Sequence, residues 1–262
     1  MIIFPPAKIN LGLHIHNKRA DGFHNIETVF YPVPQISDIL EIIPSNKSEY
    51  SFQQSGISIE NQNDTNLVVK AYLLMKKIYN LPSVDIFLHK QIPVGAGLGG
   101  GSSDAAFALK LINTVFKLDL TAEKLKEYAS ELGSDCPFFI DCTSAIGTGT
   151  GGELSPCSIP QLVGKYILIH TPNVFISTAQ AYKSCQPVKR NIPLSEIISQ
   201  PLQMWKDLLI NDFEKIIFPL YPQLQKIKEN FYKNGAIYAS LSGSGASLYG
   251  VFDEEPRNDI KV

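Results

Sequence analysis

The amino-acid sequence predicts an α+β protein with two lobes, and three features support this prediction. Apolar residues recur at strand spacing in some segments and at helical spacing in others. These segments do not alternate in the regular strand–helix–strand order that a parallel sheet requires. The length of 262 residues suits one large domain or two smaller ones. We therefore expect two domains, residues 1–154 and 155–262, with a ligand in the cleft between them.

Periodicity predicts most of the elements of the first lobe. In chain order they are strands at 8–15 and 26–33, a helix at 66–79, a strand at 84–92, helices at 102–116 and 122–132, and a strand at 137–140. Asp64 or Thr65 is the predicted N-cap of the first helix, and Pro82 ends that helical pattern.

The second lobe shows fewer clear patterns. We expect a strand at 166–170, helices near 202–217 and 222–233, and a final pair of strands at 237–241 and 247–251. The segment LSGSGASLYG, which joins the last two strands, has the small residues of a tight turn.

Composition limits the classes of function. Hydrophobic residues make up 44% of the chain and charged residues 18%, without an apolar run long enough to cross a membrane. The formal net charge is −2 and basic residues form no dense run, which argues against nucleic acid as a partner. The four cysteines show no C-x-x-C spacing and the first residues, MIIFPPAK, form no secretory signal. We expect a cytoplasmic protein with a small-molecule partner.

The segment PVGAGLGGGSSDAA at 93–106 is the strongest single feature of the chain. It places five glycines and two serines between Pro93 and Ser103, where a predicted strand leads into a predicted helix. The first amides of a helix attract anions, and glycine lets the backbone approach a phosphate closely. The pattern therefore predicts a phosphate-binding loop. The alternative is a flexible linker or turn, but linkers rarely separate an apolar strand from an alanine-rich helix.

Spacing excludes two common phosphate-binding loops. The Walker motif requires a lysine directly before Ser102, and glycine stands there. Gly95, Gly97 and Gly100 satisfy G-x-G-x-x-G, but a dinucleotide fold would also need a strand that ends in an acidic residue about twenty residues later. The chain instead continues into another predicted helix, which argues against a dinucleotide fold.

Four motifs together resemble one kinase superfamily. The glycine segment resembles the phosphate loop of the galactokinase, homoserine kinase, mevalonate kinase and phosphomevalonate kinase (GHMP) superfamily. PAKINLGLHI with RADGFH, GSDCPFF and LSGSGAS resemble the branch that acts on 4-diphosphocytidyl-2-C-methyl-D-erythritol. The resemblance spans residues 6–247. It implies a two-lobed fold and transfer of phosphate from ATP, with Mg²⁺, to the 2-hydroxyl of that substrate in the non-mevalonate isoprenoid pathway.

The resemblance assigns a catalytic pair and a nucleotide-binding segment. Asp135 matches the position of the general base, and Lys8 matches a strand lysine that would stabilise the charge of Asp135 and of the transferred phosphoryl group. Without the resemblance, Asp135 would be interpreted as a turn or cap residue and Lys8 as a solvated edge charge. The residues expected to bind ATP are Pro93, Gly95, Gly97, Leu98, Gly99, Gly100, Gly101, Ser102 and Ser103.

The residues that the resemblance assigns to substrate binding are Asn10, Phe23, His24, Thr178, Tyr182 and Gly243. Phe23 and Tyr182 would stack on the cytosine ring, and His24 would contact its edge. Phe23 stands where the family often has tyrosine, so it retains the ring face and lacks the hydroxyl group. The family's proline before Thr178 is absent here. Asp104 is expected to favour the helix dipole rather than to help place Mg²⁺.

Two other functions remain open from the sequence. A related small-molecule kinase could phosphorylate another alcohol, and only the favoured function requires a cytosine pocket. A non-catalytic nucleotide-binding protein could retain the loop and lack the reaction, although the presence of both Lys8 and Asp135 argues against this. The sequence does not indicate an oligomeric state.

Overall fold

The computed structural model describes residues 1–57, 65–188 and 190–256. The strands are β1 (Ile2–Ile3), β2 (Pro6–Lys18), β3 (His24–Ser37), β4 (Ile39–Pro44), β5 (Ser51–Gly56), β6 (Val84–Lys90), β7 (Ala145–Thr148), β8 (Glu153–Pro156), β9 (Tyr166–His170), β10 (Tyr238–Leu241) and β11 (Leu248–Phe252). The α-helices are α1 (Leu67–Tyr79), α2 (Gly100–Val115), α3 (Ala122–Leu132), α4 (Cys136–Asp141), α5 (Thr178–Lys183), α6 (Leu194–Ser199), α7 (Trp205–Leu208), α8 (Glu214–Leu220) and α9 (Pro222–Lys233). This mixture of strands and helices confirms the predicted α+β class.

Internal contacts divide the chain into two compact units, each built from several segments. The first unit comprises Met1–Lys8, Pro32–Val94 and Gly99–Thr143. The second comprises Ile9–Tyr31, Gly95–Leu98 and the chain from Ser144 onward. The units are therefore not two consecutive pieces of chain. The predicted domains, 1–154 and 155–262, and the cleft between them stay predictions.

The first unit contains a four-stranded sheet in the order β1-β4-β6-β5. Strands β4 and β6 are antiparallel, whereas β5 and β6 are parallel and are joined through α1. Helix α1 is capped by Asn66, whose side chain accepts a hydrogen bond from the amide of Val68. The predicted cap at Thr65 is therefore wrong by one position, and Asp64 lies outside the described residues. The helix ends at Asn80, whose left-handed backbone (φ 50°) stops it before Pro82.

Helix α4 corrects the strand predicted at 137–140. Residues Cys136–Asp141 are helical, with Pro137 in the first turn, where its fixed φ and missing N–H are compatible with a helix. Phe138 and Phe139 are buried in the core of the unit. A run of four apolar residues carries no periodicity, so its burial alone does not distinguish a strand from a helix. Asp135 consequently occupies the N-cap position of a helix.

The second unit is built on antiparallel pairs. Strands β10, β11 and β9 form one sheet, and β3, β7 and β8 pair with one another in a second sheet whose strand order is β2-β3-β7-β8. Helix α9 packs on β10 and β11. Its buried residues, including Leu224 and Phe231, join Leu241, Leu248 and other apolar side chains in the core.

The helix predicted near 202–217 is interrupted. A 3₁₀ turn at Leu202–Met204 and α7 come first, and the chain then extends before α8 begins at Glu214. Within this extended part, Leu13 of β2 pairs with Asn211 through backbone hydrogen bonds to Ile210 and Asp212. This long-range pairing uses backbone groups that a continuous helix would need, so tertiary contact overrides local periodicity.

The helices predicted at 122–132 and 222–233 and the strand predicted at 166–170 have those bounds in the structure, and the remaining predicted elements are present with shifted ends. The pattern missed β1, β4, β5, β7, β8, α5 and α6. Among the described residues, none of the helices combines the length and apolar character needed to cross a bilayer.

Candidate active site

The glycine segment joins β6 to α2 through left-handed backbone. Gly95, Gly97 and Gly99 have φ values of 66°, 79° and 71°, which side chains with a Cβ rarely adopt. Gly99 is the N-cap of α2, and the amide of Ser103 donates the first helical hydrogen bond to its carbonyl, at 2.9 Å. The amides of residues 100–102 precede that bond and form the anion-attracting end of a helix.

A side chain has no room at Gly97 and little room at Gly99. A Cβ at Gly97 would lie 2.0 Å from the backbone carbonyl oxygen of Ser242. A Cβ at Gly99 would lie 3.0 Å from the Lys8 side chain and 3.0 Å from the ring of Phe139. Because Gly97 and Gly99 lack side chains, the backbone at each of them can pack directly against its neighbours in its own unit.

Lys8 and Asp135 form an ion pair within the first unit. The Lys8 Nζ and Asp135 Oδ2 atoms are 3.4 Å apart. The Lys8 side chain, near the start of β2, is only 4% exposed, whereas Asp135 is 34% exposed at the start of α4. Because the Lys8 stem also packs beside Gly99, one unit holds an ammonium, an accessible carboxylate and the first turn of α2. This combination suits transfer of a phosphoryl group to a hydroxyl.

The two serines of the loop differ in their surroundings. Ser103 is fully buried, and its Oγ has no hydrogen-bond partner among the residues that the structure describes. The protein encloses this hydroxyl group, whereas Ser102 is half-buried. Burial raises the pKa of the Cys136 thiol to about 12, although Ser102 opposes the shift. Cys136 is therefore a neutral thiol and not a nucleophile.

Sequence reasoning missed a buried charge cluster behind the loop. The Lys90 ammonium donates hydrogen bonds to Asp38 and, at 2.7 Å, to Asp104. Burial, with a smaller effect of Asp38, raises the pKa of the Asp104 carboxyl to about 8, although Lys90 opposes the shift. Asp104 therefore lies in the core, not in an exposed capping position. The one available signal was the place of Lys90 in the alternating strand β6.

Asn10 and Gly243 meet in the second unit. The Asn10 side-chain amide donates to the Thr28 hydroxyl at 2.9 Å, and its backbone amide donates to the Ser242 hydroxyl. Gly243 has φ 56°, and a Cβ there would lie 3.3 Å from the Asn10 side-chain oxygen. The Ser242 hydroxyl also donates to the Gly97 carbonyl at 2.9 Å. The turn at 242–245 thus contacts both Gly97 of the glycine loop and Asn10.

The residues assigned to cytosine form a partial ring stack in the same unit. His24 and Tyr182 are stacked, with ring centroids 5.2 Å apart and an interplanar angle of 21°. Burial, with a smaller effect of Lys18, lowers the pKa of His24, which favours a neutral imidazole that can both donate and accept. Phe23, the residue before His24, is 62% exposed. The Thr178 hydroxyl lies 2.8 Å from that of Ser244.

The part of the chain that the structure describes contains no cluster of metal-binding side chains. Within the described ranges, no group of three or more histidine, cysteine, aspartate or glutamate side chains could hold a metal ion.

Two family models match the chain. The model for the GHMP kinases N terminal domain matches residues 66–142, and the model for the GHMP kinases C terminal matches residues 194–261. The first match contains the glycine loop and Asp135. The second match contains Gly243, whereas Lys8 lies outside both matched ranges.

Curated relatives match almost the whole chain. A Bacteroides fragilis protein named 4-diphosphocytidyl-2-C-methyl-D-erythritol kinase is 51% identical, covering 98% of this chain and 94% of the relative. A Cytophaga hutchinsonii protein of the same name is 48% identical over the same shares.

Solved structures agree in fold. A 4-(cytidine 5'-diphospho)-2C-methyl-D-erythritol kinase superposes with a TM-score of 0.81 at 29% identity, covering 96% of this chain and 90% of the other. The Methanococcus jannaschii mevalonate kinase superposes with a TM-score of 0.73 at 14% identity, over 99% of this chain and 93% of the other, which shows a shared fold alone.

Proposed function

Because the chain belongs to the GHMP kinase family, we propose that it transfers the γ-phosphoryl group of ATP to the 2-hydroxyl group of 4-diphosphocytidyl-2-C-methyl-D-erythritol. The name shared by relatives about half identical over nearly full length supports this substrate. The observation that carries the proposal is the Lys8–Asp135 pair, 3.4 Å apart, in the unit that also contains the first turn of α2. The reaction belongs to the non-mevalonate isoprenoid pathway, and we expect it in the cytoplasm.

ATP is the donor that this kinase family uses, and the start of α2 supplies groups for its phosphates. The amides of Gly100, Gly101 and Ser102 precede the first helical hydrogen bond. Ser102, which is half-buried in the same turn, adds a hydroxyl donor. The helix dipole favours negative charge at this end. We propose that Mg²⁺ accompanies the nucleotide and neutralises phosphate charge, with few ligands from the protein.

Asp135 and Lys8 have complementary tasks in the proposed reaction. The acceptor oxygen forms a bond to the γ-phosphorus as the bond to the β-phosphate oxygen breaks and ADP leaves. Asp135 accepts the proton of the acceptor hydroxyl, since its carboxylate is partly exposed and can reach a substrate. The buried Lys8 ammonium stabilises the negative charge of the phosphoryl oxygens. Lys8 also orients Asp135 through their ion pair.

Cytosine recognition is assigned to the second unit. Tyr182 supplies a ring face, and the exposed Phe23 supplies another. A neutral His24 can donate to and accept from the cytosine edge, which presents both acceptors and an amino group. Asn10, Gly243 and Thr178 contribute polar groups around the 242–245 turn.

A product assay tests this function. The protein is incubated with Mg²⁺, ATP and 4-diphosphocytidyl-2-C-methyl-D-erythritol, and phosphorus NMR follows formation of ADP and a new phosphate monoester. Mevalonate and homoserine, offered at the same concentration, are the control acceptors. We expect transfer to the cytidine compound alone and competition by cytidine diphosphate. Faster phosphorylation of a control acceptor, or no transfer to the cytidine compound, would contradict the proposal.

A further inference from the structure

The glycine loop needs support at both ends to bind phosphates in one geometry. Residues 91–99 connect β6 to α2, and three of them are glycines with positive φ. Glycine-rich chain loses more conformational freedom on ordering than other chain does. A loop whose ends can move would therefore hold its phosphate-binding conformation only part of the time.

Asp38 holds the first end of the loop. This residue lies between β3 and β4 and is fully buried. Its Oδ1 atom accepts hydrogen bonds from the backbone amides of Gln91 at 2.6 Å and Ile92 at 2.9 Å. These are the first two residues after β6, so one carboxylate fixes the direction in which the chain leaves the sheet.

Lys90 connects that end to the helix at the other end. Its ammonium donates to Asp38 and to Asp104, which lies in the second turn of α2. A Cβ at Gly100 would lie 3.2 Å from the Lys90 Nζ atom, so the ammonium sits beside the first helical residue. Lys90, Asp38 and Asp104 are each at most 3% exposed.

We propose that Lys90 and Asp104 are positioning residues for the donor phosphates, because with Asp38 they fix both ends of the glycine loop in the conformation that binds ATP. This inference rests on the proposed function for its ligand. It goes beyond that function because these three side chains are buried behind the loop and act through it.

The charges of the cluster agree with this role. Burial and Asp38 raise the pKa of the Asp104 carboxyl to about 8, so Asp104 is largely protonated near neutral pH. Lys90 and Asp38 then form a neutral pair, and the cluster places no net negative charge behind the start of α2. The positive end of the helix dipole is therefore not offset by this cluster and can attract a bound phosphate.

A buried ion pair could instead contribute to stability alone, and Asp104 variants distinguish the two roles. Asp104→Asn keeps the size of the side chain and an oxygen that accepts from Lys90, whereas Asp104→Ala removes the connection. Asp85→Ala is the matched control, because Asp85 lies at the other end of β6 and pairs with Lys47 at 2.8 Å. For each variant, calorimetry measures the Kd of ATP without an acceptor, and thermal unfolding measures Tm.

We expect Asp104→Ala to raise the Kd of ATP about tenfold. This is the change expected if the loop adopts its binding conformation in about a tenth of the molecules. Asp104→Asn should remain within about threefold of the wild type, and Asp85→Ala should be unchanged. In steady-state assays the KM for ATP should rise while the KM for the acceptor stays constant. If Asp104→Ala does not fold, Asp104→Ser replaces it, because serine is too short to reach Lys90.

Unchanged ATP affinity in folded Asp104→Ala or Asp104→Ser, with a lowered Tm, would overturn the inference and leave a purely structural cluster. Failure of the proposed function is a separate result, because it is seen as absent transfer to the acceptor by the wild type. The ATP affinities of the variants do not depend on which acceptor is used.

Discussion

Replacing Gly97 by alanine should destabilise the protein, whereas the same change at Gly101 should not. Gly97 has φ 79°, and its Cβ would lie 2.0 Å from the carbonyl oxygen of Ser242, a backbone atom that cannot rotate away. Gly101 lies inside α2, and its Cβ would meet only Leu67 at 3.8 Å. The two glycines are four residues apart in one motif, which makes them a matched pair.

The expected changes in the free energy of unfolding follow from the surroundings of the two glycines. The left-handed conformation costs alanine about 1–2 kcal/mol, and forcing a methyl group into filled space costs about 1–3 kcal/mol more. Gly97→Ala should therefore lower the free energy of unfolding by about 2–5 kcal/mol. Gly101→Ala replaces a poor helix former by a good one, so it should be neutral or stabilising by up to about 1 kcal/mol.

Urea unfolding provides the assay. The single tryptophan, Trp205, is fully buried and reports unfolding through its fluorescence, and circular dichroism at helical wavelengths gives a second signal. Similar m-values for the wild type and both variants are required before the midpoints are converted to free energies. Equal stability of Gly97→Ala and Gly101→Ala would refute the argument that close backbone contact requires glycine at position 97.

Three further predictions concern single side chains. Lys8→Met should lower kcat about 10²–10³-fold with a smaller change in the Kd of ATP, and equal kcat values would contradict its electrostatic role. Tyr182→Ala should raise the KM for the acceptor about tenfold and leave the KM for ATP unchanged, with the exposed Tyr166→Ala as control. The raised pKa of Asp104 means that the folded protein keeps a proton that the unfolded chain releases. The free energy of unfolding of the wild type should therefore fall, relative to that of Asp104→Asn, as pH rises from about 4 to about 8. Urea unfolding at pH 5 and pH 8 measures this difference, and parallel changes in the two proteins would contradict it.

Local sequence patterns correctly predicted the helices and strands whose own residues show a clear hydrophobic periodicity. Helices α1, α3 and α9 and strand β6, which leads into the glycine loop, carry clear periodicity, and the structure contains them. The segment Cys136–Asp141 is too short to show a period, and the chain near Asn211 follows a pairing with β2 that no local pattern reveals.

The residues of the candidate site are likewise of two kinds, those that motifs predict and those that only the fold brings together. Motif resemblance led to Lys8 and Asp135, which the structure places 3.4 Å apart. Lys90 and Asp38 belong to no motif and lie 52 positions apart in the chain. Their contact depends on how β6 and α2 meet the segment between β3 and β4, so only the folded structure reveals it.

The proposed reaction depends most directly on the carboxylate of Asp135, and the turnover of Asp135→Asn tests it. The measurement is kcat for phosphoryl transfer to 4-diphosphocytidyl-2-C-methyl-D-erythritol at saturating ATP, with the Kd of ATP determined in parallel. Asp141→Asn is the control, because Asp141 lies at the end of the same helix and pairs with Lys126. We predict that Asp135→Asn lowers kcat about 10²–10⁴-fold while ATP still binds and Asp141→Asn stays active. Turnover by Asp135→Asn close to that of the wild type would contradict the assignment of Asp135 as the base.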